Sequence, residues 1–369
     1  MRESTDFKFK SKRRAYNRPP PDDPEENRRN FLKMMIQGGL VLGGGVAGAY
    51  LIKDSTGLPE PPQPIDVVGE GSRFLTGIER SVSLPEMSIA TGRPLVPGVP
   101  DKVDFGRLID AAVGELGGMG RFVKKGDSVL IKPNVAFDRP PRLGATTHPD
   151  TMRAVVRLCR EAGAREVLVA DNPINSPEGA FVKSGVGKAA EEAGARILLP
   201  RPESMATIML PPGQSEVLDV WTMFYEPIAK VDRVIGLAPI KDHNLCQASM
   251  SLKNWYGLLA GARNRFHQSI HEVIADFALM IKPTLVILDA TRVLMRNGPT
   301  GGSTADVKEG NTVIAGFDSV AIDTYGYTHL LGRDVDKLGG KGEGYLQKAE
   351  RRGLGTMDWK SLNPKTIKV

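Results

Sequence analysis

The sequence predicts an α/β fold: a single domain with a parallel or mixed sheet flanked by helices on both faces, preceded by an export leader and a proline-rich linker. Two observations carry the prediction. From Val103 onward, short apolar runs alternate with segments of helical periodicity. The apolar runs are nearly continuous, as in strands covered on both faces. We expect this domain to occupy residues 102–369.

The predicted elements follow one another in a regular order. Strands are predicted at 128–131, 166–170, 196–199, 233–238, 285–288 and 312–315, and helices at 104–116, 149–162, 186–193, 249–259, 269–281 and 318–331. A helix of about 13 residues between the first two strands makes a right-handed βαβ crossover, which requires parallel pairing. Pro149 suits the first turn of its helix, and Asp318 is a predicted N-cap.

The first 52 residues are predicted to be a twin-arginine-type export leader. Arg28 and Arg29 precede an uncharged, glycine-rich run from Met34 to Ile52. Ala47-Gly48-Ala49 offers a small-residue cleavage site. The alternative is an uncleaved anchor that tethers the protein to the membrane, because about 19 apolar residues approach the length of a span. The twin-arginine translocation machinery is therefore an expected partner, and the expected location is the periplasm or another extracytoplasmic compartment.

Residues 53–101 are predicted to be a linker. Eight prolines fall between Asp54 and Asp101, and such a segment is unsuited to regular hydrogen-bonded structure. The interpretation is a tether, with room for a short ordered stretch at its end.

Charge and motifs exclude several classes of function. The net charge is +6, but ten basic and six acidic residues in 1–33 account for +4 of it, which leaves 39 basic and 37 acidic residues in the rest of the chain. We therefore expect no nucleic-acid partner. The G-x-G-x-x-G match at 43–48 lies inside the leader without a preceding strand, so it is not a dinucleotide site. No P-loop, H-E-x-x-H or G-x-S-x-G motif occurs.

Polar residues follow four of the predicted strands directly. These clusters are Lys132-Pro133-Asn134, Asp171-Asn172-Pro173, Lys241-Asp242-His243-Asn244 and Asp289-Ala290-Thr291-Arg292. If the strands are parallel, all four clusters gather at one edge of the sheet, where open α/β sheets bind ligands. The alternative for each single cluster is structural, since Asp and Asn also cap and brace turns.

The lysines predict a site for an anion. Lys132, Asn134, Asn254 and His148 are the expected substrate-binding residues, since a lysine fixed by a following proline suits an anionic oxygen. Lys241, Lys253 and His243 are the expected catalytic residues, because lysines that converge in a crevice can become bases at neutral pH. Lys253 could instead extend from a half-buried helix into solvent.

A divalent metal is a further possibility at the same edge. Its expected ligands are His243, Asp171 and Asp289, a mixture that several metals tolerate. His267 and His271, four residues apart, could also share a helix face, although a core or helix-end role fits His271 equally well.

Several segments together resemble the domain of unknown function 362 family. They are Val129 to Asn134, Thr146-Thr147-His148-Pro149, Ala170 to Pro173, Lys241-Asp242-His243, Ser251 to Gly257 and Gly298-Pro299-Thr300. The resemblance spans roughly Val103 to Asp358. Members of this family often carry a ferredoxin-like iron–sulfur segment, but Cys159 and Cys246 cannot supply four thiolates, so no iron–sulfur cluster is expected.

Two functional hypotheses follow. The first is an exported protein that binds or transforms a small anionic organic molecule, with or without the help of a metal. The second is a non-catalytic periplasmic protein that binds or assembles a metal or redox partner. The sequence alone does not decide whether the protein is an enzyme.

Overall fold

The computed structural model describes residues 64–66, 73–78, 83–92, 104–211 and 213–369. All of them belong to one compact unit, Gln63–Val369. The predicted leader at 1–52, with its twin-arginine pair and its alternative as a membrane anchor, lies outside the described residues. Within the ranges given above, no helix combines the length and the apolar character that a membrane crossing needs.

The elements of the described ranges are numbered here in chain order. The strands are β1 (Ile65–Asp66), β2 (Met87–Thr91), β3 (Ser128–Lys132), β4 (Glu166–Ala170), β5 (Arg196–Leu198), β6 (Met205–Met209), β7 (Val220–Phe224), β8 (Arg233–His243), β9 (Gln247–Ser249), β10 (Leu285–Leu294), β11 (Val307–Gly316) and β12 (Lys365–Lys368). The helices are α1 (Phe105–Glu115), α2 (Pro149–Glu161), α3 (Pro177–Lys183), α4 (Val186–Glu192), α5 (Glu226–Ala229), α6 (Ser251–Asn254), α7 (Ile270–Met280), α8 (Ser319–Tyr325) and α9 (Tyr345–Arg351).

A mixed sheet forms the centre of the domain, and the predicted α/β fold is confirmed. Its strand order is β12-β2-β11-β10-β8-β3-β4-β5, with β9 paired to β8. Neighbouring strands from β10 to β5 are parallel, whereas β11 is antiparallel to both β10 and β2. The carboxyl ends of β3, β4, β8 and β10 therefore lie at the same edge. β1, β6 and β7 form a separate small sheet.

Alternate residues of each central strand pack into one of two cores. In β3, Leu130 belongs to the core that contains residues of α6 to α9, whereas Val129 and Ile131 belong to the core that contains residues of α1, α2 and α4. Helices thus cover both faces of the sheet, which explains why its strands are nearly continuous apolar runs. Cys159 of α2 is buried in the second core.

One part of the predicted linker belongs to the sheet. β2, at Met87–Thr91, lies between β11 and β12 and buries Met87, Ile89 and Ala90. The expected start of the domain at residue 102 is therefore too late. Pro85 and Pro94 lie on either side of this strand in the sequence, and no proline lies within it. The many prolines nearby therefore mask the sequence signal of a short strand, which is stabilised by pairing with strands that are distant in the sequence.

The observed boundaries of some strands and helices also differ from the predicted ones. β8 continues five residues beyond the expected end at Ala238, and β10 continues six beyond Leu288. The helix expected at 249–259 is instead β9, α6 and a 3₁₀ segment at Trp255–Leu258. Asp318 does cap α8, because its carboxylate accepts hydrogen bonds from the backbone N–H groups of Val320 and Ala321.

Candidate functional site

A cavity of about 340 Å³ opens at the carboxyl edge of the parallel strands. This volume lies near the lower end of the range for small-molecule sites. Residues that follow β3 and β4, or end β8, contribute to its wall, as parallel strands require. Six of the predicted site residues line it: Asn134, Asp171, Lys241, His243, Lys253 and Asn254.

Lys132 lies behind the wall of this cavity in a fully bonded ion pair. Its Nζ donates to Asp171 Oδ1 at 2.6 Å, to the Pro133 carbonyl at 2.7 Å and to Asn254 Oδ1 at 3.2 Å. The side chain is 0% exposed. Burial lowers the pKa of Lys132, and the Asp171 carboxylate opposes that shift. A lysine whose three protons are all donated inside the protein has no donor left for a ligand.

Asp171 is held from a second direction. Its Oδ2 accepts the backbone N–H of Val135 at 2.6 Å, and its Oδ1 also accepts the N–H of Asn172 at 3.0 Å. The pair therefore fastens the loop after β3 to the loop after β4.

Gly257 explains how the pair is covered. A Cβ at this position would lie 2.3 Å from Asp171 Oδ1 and 2.7 Å from Lys132 Nζ. Only a residue without a side chain lets the backbone pass so close to the ion pair. The Gly257 carbonyl also accepts the N–H of Asn172 at 3.0 Å.

Two asparagines connect the ion pair to Lys241. Asn254 Nδ2 donates to the Lys132 carbonyl at 3.0 Å, and Asn134 Nδ2 donates to Asn254 Oδ1 at 3.2 Å. Asn134 Oδ1 in turn accepts from Lys241 Nζ at 2.8 Å, and the Ala145 carbonyl accepts from the same Nζ at 2.5 Å. Both partners of the Lys241 amine are neutral oxygens. Burial, followed by repulsion from Lys253, lowers the pKa of Lys241 to about 7.

Lys253 is different from the other two lysines. Its Nζ lies 4.8 Å from the centroid of the Tyr256 ring, and within the described part of the chain it makes no hydrogen bond or ion pair. It is half-buried and lines the cavity. Burial lowers the pKa of Lys253, and the Arg263 guanidinium adds to that effect.

His243 is a neutral hydrogen-bond donor at this site. Its Nδ1 accepts the backbone N–H of Leu245 at 3.1 Å, so the ring proton lies on Nε2. Burial and the charges of Lys253 and Lys241 lower the pKa of His243 to about 2. This environment disfavours the imidazolium that proton transfer by the expected catalytic residue His243 would require, whereas the Nε2–H remains able to bind an anion.

Besides Lys132, two predicted site residues do not line the cavity. His148 caps α2, where its Nδ1 accepts the N–H of Asp150 and its ring stacks on Phe105 at 4.2 Å. Asp289 lies inside β10, because that strand continues past it. Its carboxylate is bonded to the hydroxyls of Thr151 and Thr291.

The expected metal ligands are consequently not assembled. Asp171 and His243 line the cavity, but Asp289 does not. Over the residues that the structure describes, no three His, Cys, Asp or Glu side chains come close enough to hold a metal ion. His267 and His271 are also separated in role: His267 lines the cavity, whereas His271 Nδ1 accepts the backbone N–H of Tyr345.

Sequence reasoning did not assign Arg263 or Tyr256 to the cavity wall, and it considered His267 only as a possible metal ligand. Arg263 Nη1 donates to the carbonyls of Asn172 and Leu259, at 2.9 and 3.0 Å. The Tyr256 hydroxyl donates to the Arg263 carbonyl at 2.6 Å, and the His267 ring stacks on Tyr256. All three belong to the 3₁₀ segments after α6, which lack the strand-end context that directed the prediction.

α6, which carries Lys253 and Asn254, is anchored by a buried carboxylate of α8. Asp323 Oδ1 accepts from the Ser251 N–H at 2.9 Å and from its hydroxyl at 2.6 Å, and Oδ2 accepts the N–H of Leu252 at 3.0 Å. Burial raises the pKa of Asp323 to about 7. The position of the cavity lysine therefore depends on a residue about 70 positions away in the chain.

Comparison with known proteins places the chain in a family. The family model described as a domain of unknown function (DUF362) matches residues 129–328, more than half of the chain. The chain belongs to the DUF362 family. The described residues that line the cavity all fall inside the matched DUF362 segment, whereas β2, α1 and β12 lie outside it.

Similar proteins include a thylakoid-associated protein of Synechocystis sp. It is 30% identical to this DUF362 protein over 220 residues, which is 56% of this chain and 64% of the relative. The chain thus spans less than two thirds of that relative's length.

Two solved structures show a distant likeness. The lactate racemase apoprotein of Thermoanaerobacterium thermosaccharolyticum is 12% identical, with a TM-score of 0.36 over 67% of this chain and 55% of that one. A protein of Thermotoga maritima is 15% identical, with a TM-score of 0.28 over 54% of this chain and 51% of that one.

Proposed function

We propose that the DUF362 domain binds and transforms a small anionic organic molecule in the cavity at the carboxyl edge of its sheet. The observation that carries the proposal is an imbalance of charge. Lys241, Lys253 and Arg263 line the cavity, and of its described lining residues only Asp171 is a carboxylate. That carboxylate is already paired with Lys132. An anion would supply the missing counter-charge.

The donors that could receive the anion are specific. Lys253 Nζ makes no polar bond within the described ranges, and Arg263 uses only Nη1 in its two bonds to backbone carbonyls. His243 adds an Nε2–H. Charge-assisted hydrogen bonds from such groups are about twice as strong as neutral ones. Lys132, by contrast, is assigned a structural role, because its protons are consumed inside the protein.

Anion-induced stabilisation tests the proposal. Full-chain protein is melted with and without glycolate, malonate, oxalate and inorganic phosphate, and affinities are measured by calorimetry. We expect Lys253→Met to weaken binding of the preferred anion about tenfold or more, since losing one charge-assisted bond costs about 1.5–3 kcal/mol.

The matched control is Lys188→Met in α4, a lysine that is 81% exposed and should leave affinity unchanged. If Lys253→Met and Lys241→Met both bind the anion as tightly as the wild type, the lysines are not its receptors and the proposal fails.

A binding protein without catalysis is the alternative, and the state of His243 favours it, since a neutral imidazole with an occupied Nδ1 is a donor rather than a base. Turnover of a bound anion separates the two. A stoichiometric metal in protein purified from its native host, lost in His243→Ala, would instead support the predicted metal-assisted role.

We further propose export by the twin-arginine route, supported by Arg28, Arg29 and the uncharged run after them. A relative named as thylakoid-associated is compatible with a location at or across a membrane. A fusion of residues 1–60 to a folded fluorescent reporter should be exported, and replacing both arginines by lysine should abolish export. Export that persists in the double variant would contradict this route.

A further inference from the structure

We propose that Lys253 is a covalent catalytic residue, whose amine condenses with the carbonyl group of a small 2-oxo acid bound in the cavity. The inference rests on the proposed anion-binding function and adds to it a substrate class and a bond.

The lysines at this site differ in what their amines already bind. Lys132 Nζ makes three hydrogen bonds and Lys241 Nζ makes two. Lys253 Nζ makes none in the described ranges and lies over the Tyr256 ring, with the cavity open to it. An amine must bring its electron pair up to the carbonyl carbon, and Lys253 is the lysine whose nitrogen is not fixed in place by hydrogen bonds to the protein within the described ranges.

The surroundings of Lys253 shift its protonation equilibrium toward the unprotonated amine. Burial lowers the pKa of Lys253, and Arg263 lowers it further. A lysine that is desolvated beside another cationic group is the usual arrangement of an imine-forming amine.

The remaining cavity groups point to the class of substrate. Arg263 would hold a carboxylate through the donors that its two backbone bonds leave over, while Lys253 needs a carbonyl carbon close to that carboxylate. A 2-oxo acid has both groups on neighbouring carbons, and its small members suit a cavity of about 340 Å³. The His243 Nε2–H could donate to the oxygen of the attacked carbonyl.

The step is balanced without an oxidant or a reductant. The Lys253 nitrogen forms a bond to the carbonyl carbon, which gives a carbinolamine. The hydroxyl group of that carbinolamine then takes up a proton and leaves as water, so amine and oxo acid yield imine and water. The protonated imine is an electron sink for breaking a bond at the neighbouring carbon.

Reductive trapping tests the inference. Full-chain protein is incubated separately with glyoxylate, pyruvate and 2-oxoglutarate in the presence of cyanoborohydride, and labelled lysines are located by peptide mass spectrometry. We expect at least one acid to label Lys253 about tenfold or more above Lys188, because an oxo acid held in the cavity meets the Lys253 amine at a far higher effective concentration than an exposed amine meets it in solution. Lys188 reports labelling of an exposed amine in the same molecule.

Lys253→Arg is the matched variant, since it keeps the charge but cannot form an imine. It should lose the adduct, and its affinity for glycolate, the reduced counterpart of glyoxylate, is measured in parallel to report on the anion site. If Lys253→Arg does not fold, protection of wild-type Lys253 by glycolate replaces that comparison.

The outcomes separate this inference from the proposed function. Wild-type protein that binds glycolate, yet shows no Lys253 labelling above Lys188 with any of the three acids, overturns the covalent step and leaves anion binding intact. Labelling that falls on Lys241 instead also overturns it. If no anion binds, both proposals fail.

Discussion

The two halves of the cavity wall use the same residue type in opposite ways. On one side, Lys132 is sealed by Asp171, Asn254 and the Pro133 carbonyl, and Gly257 covers it closely. On the other side, Lys253 is half-buried and has no polar partner in the described part of the chain. Lys241 lies between these extremes, since it is buried but bonded only to neutral oxygens.

The difference teaches how a functional lysine can be told from a structural one. Burial and a lowered pKa occur at Lys132, Lys241 and Lys253 alike. What separates them is how many donors remain for a ligand. A fully paired charge maintains the geometry of the loops, whereas an unpaired one at a cavity adds an energetic cost that a ligand can remove.

The largest expected effect comes from breaking the buried ion pair between Lys132 and Asp171. Asp171→Asn removes the counter-charge of Lys132. It also replaces one carboxylate oxygen by an NH₂ group, so that either the Val135 N–H or the Lys132 amine loses its acceptor. We expect a loss of about 3–5 kcal/mol in the free energy of unfolding, as for other buried pairs that lose one partner, measured by urea denaturation.

Asp138→Asn is the control for that experiment, since Asp138 pairs with Arg139 at the surface and exposed pairs contribute about 0–1 kcal/mol. Equal, small losses in the two variants would mean that the Lys132 pair does not hold the loops together.

A smaller effect is expected from crowding the same pair. Gly257→Ala places a Cβ against Asp171 and Lys132, which should cost about 1–3 kcal/mol. Gly114→Ala is its control, because Gly114 is exposed in α1 with open space around it. That substitution should gain about 0.5–1 kcal/mol from helix propensity. If Gly257→Ala is as stable as Gly114→Ala, the backbone does not approach the pair closely.

The sequence predicted the fold well where apolar runs were long enough to specify strands. β3 and β4 agree with prediction within one residue, because a continuous apolar run is sufficient to indicate a strand buried on both faces. The end of β8 was missed because it contains Pro239, Lys241 and His243, which are unusual in a buried strand. Lys241 is tolerated there through Asn134, 107 positions away, and no local pattern reveals that partner.

The site was predicted in part for a related reason. Parallel strands bring their carboxyl ends to one edge whatever their spacing in the sequence, so Asn134, Asp171 and His243 could be placed together. Asp289 was misplaced because β10 does not end where its apolar run ends. Arg263 gave no local signal, since its place in the wall follows from the 3₁₀ path after α6.

Asp323, which anchors α6 and with it Lys253 and Asn254, predicts a pH dependence of the free energy of unfolding. The pKa of Asp323 is 3.8 when unperturbed and about 7 in the folded protein, so the folded state holds this proton more tightly. Between these pH values the unfolded state binds fewer protons than the folded state, and the contribution of Asp323 to stability falls as pH rises, by at most about 1.4 kcal/mol per unit. Above about pH 7 it is flat.

Denaturation from pH 4 to 8 checks this dependence against Asp323→Asn. The stability of the wild type relative to the variant should decline up to about pH 7 and then level off. A difference that instead grows with pH would mean that the three hydrogen bonds to Asp323 outweigh its burial.

The smallest expected effect on stability is that of replacing Lys253, and it has the opposite sign to the effect of Asp171→Asn. Lys253→Met removes a half-buried charge that no described group compensates, so the free energy of unfolding should stay unchanged or rise by about 0.5–1 kcal/mol, as is common where a binding residue is removed. Urea denaturation without added anions measures it, with Lys188→Met in α4 as the reference for an exposed lysine. Because an anion should bind the wild type about tenfold or more tightly than the variant, it should stabilise the wild type more, and adding one should reverse the order of stability. A large loss in the free energy of unfolding on Lys253→Met without ligand would instead assign Lys253 a structural role like that of Lys132, and the contrast between the lysines would disappear.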